Sequence, residues 1–269
     1  MENGFQIQLP KNHFLQKLVD YYFFIDIPVS QLVMKEEYVL PFPRLTFGYF
    51  FEHPFSVTNH SKNKSQTAEM IISRISTDKI SVAPLTDRLK ILGAHVKPFT
   101  LAYLTNKNVS ELPWIINTKE LFGKKAESFQ KKIDTCGSTK EMFTEVEKIF
   151  QNTVLAKDLS QIEIVMETIE ATRGSVSISF LADTVGVTSR TLRNYFYKYI
   201  GCSPKDYLQL VKLKQSVFQM KNDPSSLTSL SYDQNFADQA YFSNTIKNLT
   251  DQSPKKIREN LPDFRFLQF

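Results

Sequence analysis

The spacing of apolar residues changes along this chain. In the first part they fall in short β-branched or aromatic runs, at 29–33, 38–40, 45–51, 79–83, 90–96 and 99–103, with Pro, Gly, Asn and Ser between them. Such runs predict strands. Pro41 and Pro43 predict a sheet edge or a bend. Phe14, Leu15, Leu18 and Val19 suit a short helix running into a strand within 13–24, whereas the polar stretch 56–69 reads as an exposed loop. Short strands at this spacing predict a small barrel or sandwich. From about residue 118 apolar residues recur three and four apart, which predicts amphipathic helices at 119–133, 138–152 and 160–172. Ser160 with Glu163 forms a capping-box pattern for the last of these, and Asp158 is an alternative cap. After the short linker 173–175 the pattern gives six more helices, at 178–184, 188–199, 204–221, 227–233, 239–249 and 254–260. The expectation is an α+β chain: a β-rich barrel or sandwich over 1–117, a helical segment over 118–172, and an all-α domain over 173–262.

Within the last domain one pattern is written twice. A short apolar-periodic helix ends at a residue tolerant of positive φ, Gly186 in the first copy and Asn235 in the second. A second helix rich in hydrogen-bonding side chains follows. Ser203-Pro204 then opens the next helix, and Ser253-Pro254 does so in the second copy, with Ser as N-cap and Pro at the first helical position. Helix, turn, helix, Ser-Pro-helix thus repeats over roughly 50 residues per copy. Two helix-turn-helix units joined by the long helix 204–221 are a means of presenting two helices to two successive major grooves of double-stranded DNA.

Charge adds to this picture. Residues 174–269 carry 12 Lys+Arg against 8 Asp+Glu, a net of +4, and residues 1–173 carry 21 against 20, a net of +1. A basic excess in the helix-turn-helix half favours phosphate, although a solvated basic surface has the same composition. No window approaches the run of about 20 apolar residues that spans a bilayer. The first residues lack the basic-then-apolar order of a signal peptide, and Cys136 and Cys202 are too few for a disulfide framework, so a cytoplasmic protein without membrane attachment is expected.

The residues Phe180-Leu181-Ala182, Val187-Thr188-Ser189-Arg190-Thr191-Leu192, Phe196, Gly201-Cys202-Ser203-Pro204-Lys205-Asp206-Tyr207, Phe236 to Phe242 and Ser253-Pro254 resemble the DNA-binding domain of AraC/XylS-type bacterial transcriptional regulators. The resemblance covers about 172–260. More weakly, Tyr21 to Phe24, Val39-Leu40-Pro41 and Leu92 to Pro98 are similar to a sensor-like domain that precedes this DNA-binding domain in some regulators. It implies a sequence-specific DNA-binding regulator, in the common case an activator working with RNA polymerase. The N-terminal domain would sense a small effector, and 118–172 would form a homodimer. The alternative is an effector-independent regulator whose N-terminal domain mediates assembly. Three departures fall in the second unit: Asn235 replaces the usual turn Gly, Ile246 a common aromatic, and Asn244 a frequent basic residue.

In the first unit Thr188 is the expected cap. Leu192, Tyr195, Phe196 and Tyr199 share the core-facing spacing, leaving Ser189, Arg190, Arg193, Asn194 and Tyr197 outward. By position in the family pattern Arg190, Arg193 and Asn194 are candidate base readers, since Arg pairs bidentately with guanine and Asn with adenine. Ser189 and Thr191 suit phosphate near the helix N-terminus, and Thr188, the cap, is counted with the DNA-binding candidates. In the second unit Tyr241, Phe242 and Ile246 are core candidates, with Gln239, Ala240, Ser243 and Asn244 outward and Lys247 toward phosphate. The linking helix presents Tyr207, Leu208, Val211, Val217, Phe218 and Met220 as an apolar face.

Other chemistry is thin. His13, His53, His60 and His95 lack metal-ligand spacing, the two cysteines form no CxxC pair, and no phosphate-binding Gly-rich motif is present, so neither metal nor cofactor is expected. A DNA-repair enzyme fused to these helices would need an activated thiol, and Thr135-Cys136-Gly137-Ser138 lacks activating neighbours. The chain is expected not to be an enzyme.

Overall fold

In the computed structural model the described residues are 4–32, 36–222, 239–250 and 253–259. The predicted helix 227–233 and the turn at Asn235 lie outside them. All strand pairings are antiparallel. One six-stranded sheet has the order β1-β2-β9-β4-β7-β10, built from β1 (Phe5–Gln8), β2 (Val19–Pro28), β9 (Arg88–Val96), β4 (Leu45–Tyr49), β7 (Met70–Ser73) and β10 (Ile115–Asn117). A four-stranded sheet has the order β3-β8-β5-β6, from β3 (Glu37–Val39), β8 (Ile80–Pro84), β5 (Phe55–Asn59) and β6 (Lys64–Ala68). The β-rich N-terminal part takes the sandwich form.

The large sheet is buried on both faces, which explains why 90–96 reads as a continuous apolar run rather than an alternation. Odd positions Phe23, Ile25, Leu89 and Ile91 meet Phe55, Val57 and Ala68 of the small sheet. Even positions Tyr22, Leu92, Ala94 and Val96, with Leu45 and Phe47, join the helical core. At Gly93 the neighbouring strands β2 and β4 crowd in so closely that a Cβ there would lie 2.3 Å from Phe23 Cζ and 2.6 Å from Phe47 O. Helices α2 (Thr118–Phe122), α3 (Lys124–Ile133) and α4 (Thr139–Thr153) cover the even face. Phe47 sits among Phe122, Phe129 and Phe150, with ring centroids 5.6–6.1 Å away.

Several strand expectations are corrected. The run 99–103 is not a strand: Phe99 is the N-cap of α1 (Thr100–Leu104), whose five residues are all buried, so no polar face marks its helical period. Residues 29–31 form a 3₁₀ turn after β2. The loop expected at 56–69 is the β5–β6 hairpin, with Phe55 opposite Ala68 and Asn59 opposite Lys64. Strand β6 lies at a sheet edge and is polar and mostly exposed, so pairing with β5 rather than an apolar face of its own makes it a strand. The helix expected at 119–133 breaks at Gly123, where φ is +55°.

Helix α5 (Ser160–Ala171) leads into α6 (Ile178–Thr184), α7 (Ser189–Tyr195), a π-helical turn (Phe196–Ile200) and the long α8 (Pro204–Asn222). After residues 223–238 follow α9 (Gln239–Thr250) and α10 (Pro254–Glu259). The N-cap position of α5 is Leu159, which makes no side-chain cap, so neither Ser160 nor Asp158 is the N-cap; Asp158 Oδ1 accepts from Ser160 N at 3.0 Å from one position earlier.

Candidate nucleic-acid interface

The first helix-turn-helix unit is built from local signals. Ser177 caps α6 by accepting from Phe180 N at 3.1 Å, and the helix ends at Gly186, whose φ of +67° suits only a residue without Cβ strain. Val187 N bonds back to Ala182 O at 3.0 Å, closing the turn. Thr188 then caps α7: its Oγ1 accepts from Thr191 N at 3.1 Å and lies 3.0 Å from Thr191 Oγ1. Leu181, Ala182, Leu192 and Phe196 are buried between the two helices, and Tyr195 and Tyr199 are half-buried. Burial of that face fixes the rotation of α7 and turns Arg190, Arg193, Asn194 and Tyr197 outward as exposed residues. Thr188 is exposed at the N-terminus, and Ser189 and Thr191 are half-buried beside it. The end of the expected helix 188–199 widens into the π-helical turn and stops at Gly201, with φ of +92° and its N–H donating to Phe196 O at 2.8 Å.

Ser203 opens α8 as a reciprocal cap, its Oγ donating to Asp206 Oδ2 at 2.7 Å and accepting from Asp206 N at 3.1 Å. Ser253 repeats the device at α10, accepting from Lys256 N at 3.2 Å. On α8 the residues Tyr207, Leu208, Leu210, Val211, Leu213, Val217 and Met220 are buried. Phe218, expected on the apolar face, is 55% exposed, because Leu210 and Leu213 shift that face away from it.

In the second unit Phe242 and Ile246 are buried, with Leu249 beside them, as the helical spacing requires. Ala240, Asn244 and Lys247 are exposed and Ser243 is half-buried. The side chains of Gln239 and Tyr241 lie outside those described. Both helices thus turn one polar face outward. On α7 that face carries two guanidiniums and an amide; on α9 the exposed described residues carry two amides, Asn244 and Asn248, and one ammonium.

A second feature has no signal in the sequence. A cavity of about 160 Å³ lies between the two sheets, walled by Phe50, Phe55, Val57, Ile71, Val82 and Trp114. The strip Pro41-Phe42-Pro43-Arg44 forms one side of it. The same strip grips the helical domain. Tyr207 Oη donates to Pro43 O at 3.3 Å, Lys214 Nζ sits 4.9 Å over the Phe42 ring, and Arg44 bridges Asp20 at 2.6 Å and Glu170 of α5 at 2.5 Å. Lys97 completes the cluster, 3.0 Å from Asp20 and 3.4 Å from Glu170. Burial by itself would raise the Asp20 carboxyl, but Arg44 and Lys97 outweigh it and hold it below the usual range. Burial pushes the Tyr207 hydroxyl up and lowers Lys214. In sequence Arg44 is one basic residue after two prolines; only the packing of α5 and α8 gives it partners.

Neither cysteine is an activated nucleophile. Burial pushes Cys202 up to about 12, and burial with Glu141 raises Cys136, the opposite of thiolate activation. Among the described residues no group of three or more His, Cys, Asp or Glu side chains could hold a metal ion, and no helix is long and apolar enough to cross a membrane.

Comparison with known proteins agrees with this geometry. Residues 181–260 match the family model for a helix-turn-helix domain. The HTH-type transcriptional activator RhaS of Mannheimia succiniciproducens is 31% identical over 78 residues, which are 29% of this chain and 29% of that protein. The chain therefore matches under a third of the length of such curated relatives. Along nearly the whole chain the fold resembles ToxT from Vibrio cholerae. A crystal structure of unsaturated-fatty-acid-bound ToxT is 10% identical with a TM-score of 0.50, covering 98% of this chain and 97% of that one. One of ToxT bound to (E)-4-(8-methylnaphthalen-1-yl)but-3-enoic acid is 11% identical with a TM-score of 0.52, covering 96% and 100%. At that identity the likeness is one of fold.

Proposed function

We propose that this chain, whose C-terminal part is an AraC-type helix-turn-helix domain, is a sequence-specific transcriptional regulator of the activator kind. The reading is that α7 and α9 enter two adjacent major grooves of double-stranded DNA, spaced about one helical turn, or 34 Å, apart. The observation that carries it is the outward row Arg190, Arg193 and Asn194 on a helix capped by Thr188 and seated by Leu192 and Phe196. Arg190, Arg193 and Asn194 read base edges. Thr188, Ser189, Thr191 and Lys247 hold phosphate. Gln239, Ala240, Ser243 and Asn244 face the second groove and chiefly set register.

The β-sandwich cavity takes a small apolar effector. Its apolar lining supports this, as does the strip 41–44 shared between cavity and helical domain. The ToxT structures, with acids bound to that protein, are consistent with it. Recruitment of RNA polymerase and a homodimer formed through 118–172 belong to the same reading.

Selection of bound sequences from a random duplex library, followed by comparison of wild type with Arg190→Ala and Arg193→Ala, tests the DNA reading. Loss of preference at particular base pairs is expected. A uniform weakening with a shallower salt dependence would recast both residues as phosphate contacts.

A further inference from the structure

Arg44 and Arg74 both contribute to the cavity wall, and they differ in what already holds their guanidiniums. Every nitrogen of the Arg44 guanidinium is engaged: its Nε donates to Asp20, its Nη1 to Pro43 O and its Nη2 to Glu170. The Arg74 guanidinium makes one hydrogen bond, from Nη1 to Gly201 O at 2.7 Å. Its Nε is buried with no hydrogen-bond partner, and among the described residues it has no ion pair. Asp78, the carboxylate on the same wall, is occupied by Asn59 at 2.8 Å and Lys62 at 2.9 Å. A cation half-withdrawn from water with one edge unpaired costs free energy that an incoming anion would recover. Burial lowers the Arg74 pKa, the same cost seen as a titration.

A carboxylate on the Nε edge of a guanidinium makes a two-pronged pair and leaves Nη1 where it is. Here Nη1 is on Gly201, the residue that ends the π-helical turn continuing from α7. The contact is tight: a Cβ on Gly201 would stand 2.9 Å from Val109 Cγ1 and 3.2 Å from Arg74 Cδ. Any movement of Arg74 therefore reaches the backbone at 196–201.

Resting on the effector reading above, we propose that the cavity takes an apolar carboxylic acid whose head group pairs with the Nε edge of Arg74. That pairing fixes Nη1 against Gly201 and signals occupancy to the end of α7. The apolar walls select the body of the ligand, and Arg74 selects its charge. Gly201 then links the bound acid to the helix-turn-helix unit without the acid touching it.

The test uses the full chain with decanoate, decan-1-ol and decylammonium, each below its aggregation concentration, by calorimetric titration. Amide hydrogen exchange is followed in parallel. Decanoate is expected to bind about tenfold or more tightly than decan-1-ol, the scale of one charge-assisted pair, and decylammonium not at all. Arg74→Met should erase the preference for the acid, and Arg74→Lys should keep part of it. Arg74→Lys also retains a cation if Arg74→Met does not fold. Decanoate should slow exchange across 196–202 in the wild type and leave it unchanged in Arg74→Met. Equal binding of decanoate and decan-1-ol overturns the acid class while the apolar-effector reading stands. Absence of binding by both overturns the proposal and that reading together. Arg74-dependent binding without slowed exchange at 196–202 overturns the link to α7.

Discussion

The two recognition helices share a frame and differ in chemistry. Phe196 beside α7 and Phe242 of α9 are fully buried anchors, and a Ser-Pro cap begins the helix that follows each unit. What they turn outward differs. Helix α7 presents Arg190, Arg193 and Asn194, able to make paired hydrogen bonds to base edges; α9 presents Ala240, Ser243, Asn244 and Lys247. A buried face sets where a helix points, and the opposite face sets what it reads. Among the described residues the first unit meets the sandwich at Gly201, through Arg74, and the linking helix meets it at Tyr207, through Pro43. In this reading, recognition and control converge on one unit, and the second fixes register.

Removing an anchor should separate the two units most sharply. Phe196→Ala should cost about 3–5 kcal/mol of stability, measured by thermal unfolding. In DNA footprinting the same variant should no longer protect the first unit's groove, while the second unit retains weak, sequence-blind binding. Next in size, Arg193→Ala should cost about 1–3 kcal/mol at particular base pairs, measured by competition between matched and single-substituted duplexes. Equal loss on every duplex would remove the distinction between the units.

A pH series addresses the tie to the sandwich. The Asp20 carboxyl lies below its ordinary value of 3.8 in the folded chain, so the folded state holds fewer protons than the unfolded state as acid is added. The cluster's contribution is complete above about pH 5 and drains as pH falls through 3.8 toward the lower folded-state value. Asp20→Asn should lower stability at neutral pH and flatten this acid limb in denaturant titrations. An unchanged slope would mean that the cluster adds nothing to docking.

The smallest effects sit on α9. Lys247→Ala should weaken all duplexes alike and reduce the salt slope by about 0.9. Conversely, Asn244→Arg should strengthen binding and steepen that slope if α9 faces a groove; no change would turn α9 away from DNA.

The helical domain is legible in the sequence because its signals are local. Gly186, Thr188, Ser203-Pro204 and the spacing of Leu192 and Phe196 each act within a turn or two of chain, and the helices at 178–184 and 204–222 follow from them. The sandwich is less legible. A strand such as β6 exists through its partner, and α1, buried on every side, shows no period. The second turn's Asn235 is legible as a departure from pattern, and its structure lies outside the described residues.

Helical period and capping act over a few residues, so the amino-acid order alone is enough to specify the first helix-turn-helix unit, the outward row on α7 and the lower charge of the exposed face of α9. Side chains separated by long stretches of chain meet only once the whole fold has assembled. Arg44 finds Glu170 126 positions away, Tyr207 finds Pro43 164 away, and Arg74 finds Gly201 127 away. Nothing in local spacing specifies such pairs. They arise because two sheets and a set of helices bury their apolar faces together, and in doing so fix which polar groups face a cavity and which face one another.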